Sequence, residues 1–211
     1  MHDITHIIPG PVGNLELRVA IPDHWHVGLP FVVCCHPHPL HGGSLTNKVV
    51  HTLATSLNKL GLAVVRFNFR GVGQSQGQFA NGVGEQADLL AVVQWFHTQY
   101  PAAACWLAGF SFGAYVAYAA QCAAKARVLI LVAPAVNLYD FAEIACDNMP
   151  TLIIQGDQDE VVPPAQVKTW VSAQNVAPTL IRLDEAGHFF HGKLSLLHDA
   201  VTQFAQQQLT T

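Results

Sequence analysis

Apolar residues gather along the chain in short runs, and these alternate with longer stretches of helical period. The strand-length runs are LELRVAI (15–21), FVVCCH (31–36), LAVVRFNF (62–69), ACWLAGF (104–110), VLILVAP (128–134), TLIIQG (151–156) and TLIRLD (179–184). Several are continuously apolar, the pattern of strands covered on both faces of a parallel sheet. Between them, residues 46–61, 84–101, 112–126, 164–175 and 193–209 carry helical spacing. The first of these helices opens at Thr46 as a candidate N-cap and stops at Gly61. The second ends against Pro101, and 112–126 is Ala-rich, as close packing on a sheet requires. The alternation predicts an α/β fold: a doubly wound, mainly parallel sheet with helices on both faces. The first strand or two are expected to form an antiparallel edge. Residues 135–150 show no clear pattern and are too few for a second domain, so one domain spanning 1–211 is expected.

Composition agrees with a buried sheet, being 51% hydrophobic and only 11% charged. The net charge is −4 with no run of Lys or Arg, which argues against nucleic acid and anionic membrane as partners. No basic segment followed by an apolar stretch opens the chain, and no apolar run is long enough to span a bilayer. The five cysteines are odd in number and scattered, and read as reduced thiols of a cytoplasmic protein.

Three segments carry candidate chemistry. GFSFG (109–113) is G-x-S-x-G placed between an expected strand and an expected helix. That context suits a sharp, strained turn that projects Ser111 at the carboxyl edge of the sheet, at a helix start favouring negative charge. A serine nucleophile needs a base, and the base an orienting carboxylate. GDQDEVVP (156–163) offers Asp157, Asp159 and Glu160 at a strand end. Asp157 follows Gly156 and suits a turn; Glu160 is expected to face solvent; Asp159 is the favoured acid. EAGHFFH (185–191) offers His188 as the base, with His191 second.

The order GFSFG, GDQDEVVP, AGH resembles the α/β-hydrolase family over nearly the whole chain. FNFRGVGQSQG (67–77) also resembles a family stretch, often D-x-R-G-x-G-x-S, with Asn68 standing where Asp is common. More narrowly, HPHPLHGGS followed by TNKVV resembles small bacterial lid-less members near the dienelactone-hydrolase-like branch. That branch often carries Cys as nucleophile; here the position is Ser111. The resemblance implies no cofactor. It implies a serine hydrolase of carboxylic esters or thioesters working through Ser111, Asp159 and His188. A non-catalytic binding protein on the same fold is the alternative. It also implies an oxyanion hole from backbone N–H groups, one at Phe112 and one in the loop after the third strand. Proline has no N–H, so Pro37 and Pro39 are excluded there. His38 is favoured over Leu40 as the donor. Leu40 and His41 are expected at the substrate mouth.

The histidines of HPHPLHGG (36–43) also nearly match the metal string H-x-H-x-D-H. Leu40 replaces the Asp that would be a ligand, so no metal is expected. Gly71, Gly73 and Gly77 miss the G-x-G-x-x-G spacing by one residue, which argues against a dinucleotide. The link between the strands at 128–134 and 151–156 is too short for a large lid, so an open mouth for small or flexible acyl groups is expected. A homodimer partner that roofs the mouth stays open as an alternative.

Overall fold

The structure is a computed structural model that describes residues 2–141, 144 and 149–210. The strands are β1 (Ile4–Gly10), β2 (Gly13–Ala20), β3 (Phe31–Cys35), β4 (Ala63–Phe67), β5 (Cys105–Phe110), β6 (Val128–Val132), β7 (Thr151–Gly156) and β8 (Thr179–Leu183). The helices are α1 (Lys48–Lys59), α2 (Val83–Gln99), α3 (Phe112–Ala120), α4 (Pro164–Ser172) and α5 (Leu194–Leu209). One eight-stranded sheet runs in the order β1-β2-β4-β3-β5-β6-β7-β8. β2 pairs antiparallel with β1 and with β4, and every other pairing is parallel. The expected doubly wound sheet with an antiparallel edge is therefore observed.

Two cores explain the continuously apolar strands. In β3, Phe31, Val33 and Cys35 face one core while Val32 and Cys34 face the other. α2, α3 and Val167 of α4 cover the first face; α1 and α5 cover the second. Because strand side chains alternate, a strand covered on both faces must be apolar at every position. Among the described residues, no helix is long and apolar enough to cross a membrane.

Two local expectations need correction. β1 was not anticipated from the sequence: it is an edge strand carrying Pro9 and burying only Ile8, so it shows neither an apolar run nor alternation. The N-cap of α1 is Asn47 rather than Thr46; the Asn47 side chain accepts the N–H groups of Val49 and Val50 at 2.9 and 3.4 Å. Of residues 135–150, residues 142, 143 and 145–148 lie outside the described residues.

The strand order places the site. The chain leaves β3 toward β4 on one side and leaves β5 toward β6 on the other, so the loops after β3 and β5 open a crevice at the carboxyl edge. The loops after β7 and β8 reach the same edge.

Candidate active site

Ser111 sits at the junction of β5 and α3 with φ 55° and ψ −114°, a strained conformation for a residue with a side chain. Its N–H donates to Val132 O on β6 at 2.9 Å, which ties the turn to the neighbouring strand. The flanking glycines are steric requirements. A Cβ on Gly109 would overlap the Gly113 carbonyl, and one on Gly113 would overlap the carbonyl of Cys35 on β3.

The structure brings Ser111, His188 and Asp159 into one line. Ser111 Oγ lies 3.1 Å from His188 Nε2. His188 Nδ1 lies 2.9 Å from Asp159 Oδ2 and 3.1 Å from Oδ1. All three residues are buried. Asp159 Oδ1 also accepts the N–H groups of Val161 at 2.9 Å and Val162 at 2.7 Å, while Oδ2 accepts Gln155 Nε2 at 3.0 Å. Burial alone would push this carboxyl up, but the bonds from His188, Val162 and Val161 outweigh it and hold it below its ordinary value. A carboxylate on Nδ1 fixes the neutral imidazole with Nε2 free to accept, so the line can take a proton from Ser111 Oγ. His191 is exposed and stands apart from this line. Glu160 is exposed as expected, yet its Oε2 accepts the His188 N–H at 3.2 Å and braces the base's own loop.

The loop after β3 divides its three histidines among three tasks. His36 is buried; its Nδ1–H donates to Pro37 O at 2.6 Å and its Nε2 accepts the Phe69 N–H at 3.0 Å. Burial pushes its pKa down to about 4. Residues Pro39–His41 form a 3₁₀ turn in which His38 Nδ1 accepts the Leu40 N–H at 3.1 Å. The Leu40 amide is thereby occupied. Among the described residues, the His38 and Phe112 amides meet no protein acceptor. His38 and His41 stand one 3₁₀ turn apart, with ring centroids 4.6 Å apart.

The serine aminopeptidase, S33 family model matches residues 38–145. The chain belongs to the α/β-hydrolase superfamily. A crystal structure of an α/β serine hydrolase without lid from Xanthomonas campestris is 42% identical, with TM-score 0.93 over 100% of this chain and 97% of that one. An alpha-beta serine hydrolase homologue from Coxiella burnetii is 46% identical, with TM-score 0.90 over 96% of this chain and 97% of that one. An uncharacterized protein of Rickettsia prowazekii is 36% identical over 205 residues, covering 92% of this chain and 85% of that one.

In this α/β hydrolase, Ser111 and His188 open into a cavity of about 760 Å³. Its walls include Pro37, His38, His41, Gly42 and Gly43 from the loop after β3, Asn47 at the start of α1, and Asn81. Phe112, Ala135, Leu138, Tyr139, Val161 and Phe189 supply the apolar part. Tyr139 is pushed up to about 12, first by burial and then by Glu85, so its hydroxyl stays protonated near neutral pH. His41 lines the cavity as expected. Leu40 does not: it is 69% exposed and lies outside the lining. The 3₁₀ turn is the reason, since residues three apart eclipse and the residue between them points elsewhere.

Asn68 has a local explanation. Its Oδ1 accepts the Leu45 N–H and its Nδ2 donates to Glu16 Oε2, both at 2.8 Å. Glu16 already supplies the buried carboxylate, and an Asp at 68 would set a second one against it. Gln155, Asn81 and Tyr139 were missed from the sequence. Gln155 carried a signal, a polar residue interrupting TLIIQG; Asn81 and Tyr139 sit in loops that gave none.

Proposed function

We propose that this chain hydrolyses small, uncharged carboxylic esters through an acyl-enzyme on Ser111. Ser111 Oγ attacks the acyl carbon as its proton passes to His188 Nε2. Asp159 holds the imidazole and stabilises the imidazolium. The amides of Phe112 and His38 receive the oxyanion; such donors each contribute roughly 10²–10³ in rate. The proton then passes to the leaving alkoxide as the acyl–oxygen bond breaks, and water repeats the sequence to release the acid.

The observation that carries this reading is the 3.1 Å and 2.9 Å chain from Ser111 through His188 to Asp159 at the floor of the cavity. The substrate class rests on the walls. The described lining offers amide, imidazole and phenol groups beside apolar surface, and no carboxylate, Lys or Arg. A peptide with a free amino terminus would call for a carboxylate there, and an acyl-CoA thioester for cations facing its phosphates. An uncharged oxoester asks for neither.

A panel of p-nitrophenyl acetate, butyrate and octanoate, acetyl-CoA and aminoacyl p-nitroanilides tests the assignment. The short p-nitrophenyl esters should turn over fastest, and Ser111→Ala should lower their kcat by roughly 10⁶. Turnover within a few-fold of the parent in Ser111→Ala, or anilides cleaved faster than esters, would overturn it.

A further inference from the structure

Gln155 stands at the last position but one of β7, in a strand whose preceding residues Leu152, Ile153 and Ile154 are fully buried. Gln155 is itself only 1% exposed. A buried amide in an apolar strand is costly unless it is satisfied, and this one is satisfied on one side only. Its Nε2 donates to Asp159 Oδ2 at 3.0 Å, to Val162 O at 3.1 Å and, less closely, to Gly156 O at 3.3 Å. Its Oε1 is buried with no hydrogen-bond partner. Every partner of Nε2 is an acceptor, so exchanging the amide's ends would set a carbonyl against a carboxylate. An unsatisfied buried carbonyl destabilises the fold, a loss that an aliphatic side chain here would not incur.

The two oxygens of Asp159 are held differently. Oδ1 takes two backbone N–H groups from Val161 and Val162, which pin that oxygen to its own loop. Oδ2 is the oxygen nearer to His188 Nδ1, and its one other donor is Gln155. The carboxylate is rigid, so rotation about its bond to Cβ moves both oxygens together. The two amides on Oδ1 and Gln155 on Oδ2 fix that rotation jointly, and Gln155 is the donor on the oxygen nearer the imidazole. The Gln155 amide also bonds Val162 O, so it ties the carboxylate to the backbone that pins its other oxygen.

We propose that Gln155 is a positioning residue: together with the two amides on Oδ1, it sets the rotation of the Asp159 carboxylate so that Oδ2 meets His188 Nδ1 in line. The inference rests on reading Ser111, Asp159 and His188 as the reacting line, because Gln155 touches none of the reacting atoms.

The test is a double-mutant cycle on the hydrolysis of p-nitrophenyl butyrate. Gln155→Met keeps the side-chain length and removes the donor. It should lower kcat about 10–100-fold, the scale of a small misplacement of catalytic groups, and leave KM within about threefold, since Gln155 is not in the cavity wall. In an Asp159→Ala background the same change should alter kcat by less than about twofold, because the group it positions is gone. A purely structural role would lower Tm and cost the same in both backgrounds, and that result would overturn the proposal. So would kcat within about twofold of the parent in folded Gln155→Met. Gln155→Leu covers the case in which the Met variant does not fold: it likewise offers Asp159 no donor and should reduce kcat at least tenfold with its circular dichroism unchanged. If neither variant folds, Gln155 belongs to the fold alone and the proposal fails. Parallel Ser111→Ala separates the two readings. If that variant is inactive while Gln155→Met is unimpaired, only the role of Gln155 is lost; if it stays active, the reacting line itself is wrong.

Discussion

His36, directly after β3, and His188, beyond β8, are both buried, yet their partners differ in kind. His36 gives one N–H to a carbonyl and takes one N–H from the backbone. Both nitrogens are saturated by neutral groups, and a second proton on the ring would point at another N–H. His188 meets a carboxylate on one nitrogen and a hydroxyl on the other. In the proposed mechanism the carboxylate stabilises the imidazolium, and the hydroxyl is the source of the proton. Burial is common to the two rings, so burial does not set them apart; a carboxylate behind one ring and a hydroxyl in front of it do.

The sharpest break of this contrast is His188→Ala. If the three side chains act as a unit, kcat for p-nitrophenyl butyrate should fall by roughly 10⁶, and a serine-directed fluorophosphonate should no longer label Ser111. A variant that keeps labelling and turnover within about tenfold would place His188 beside His36 as a structural ring. Next in size is Asp159→Asn, which preserves shape but lets the imidazole adopt the other tautomer. The expected loss is about 10⁴ in kcat with KM little changed; a loss below tenfold would show that the carboxylate does not set the tautomer.

The smallest effect concerns stability. The His36 pKa is lowered from 6.5 to about 4, with burial the main cause. Between those values the unfolded chain binds a proton that the folded chain excludes, so stability falls as pH drops through this window. The full shift corresponds to about 3 kcal/mol. His36→Gln offers one donor and one acceptor without titrating. Its urea midpoint should therefore decline less between about pH 7 and pH 4.5 than the parent's, and parallel declines would show that His36 does not carry the acid sensitivity. His38 and His51 are also lowered, so the difference between variant and parent isolates the His36 part.

Much of this arrangement was legible before folding was considered. The central strands announced themselves because both faces are covered, which makes every position apolar. The turn at Ser111 was legible because only glycine fits at 109 and 113. β1 was not, because its stability comes from pairing with β2 rather than from a buried face of its own. Leu40 was misplaced for a different reason: adjacency to His41 says nothing about direction on a 3₁₀ turn. The bond from Glu160 to the His188 amide joins residues 28 positions apart, and no local pattern reports it.

The sequence alone determined the strand–helix alternation, the strained serine turn, and the order of serine, acid and histidine, since each depends on residues that are neighbours in the chain. The tertiary structure decided which histidine of HPHPLHGG is sealed, which amides stay unpaired, and that Gln155 reaches Asp159. Those outcomes depend on sheet order and strand register, which bring residues 36 and 69, 111 and 188, and 159 and 188 within hydrogen-bond distance. Hydrogen bonds act over about 3 Å in space, and separation along the chain does not specify separation in space until the two cores have packed.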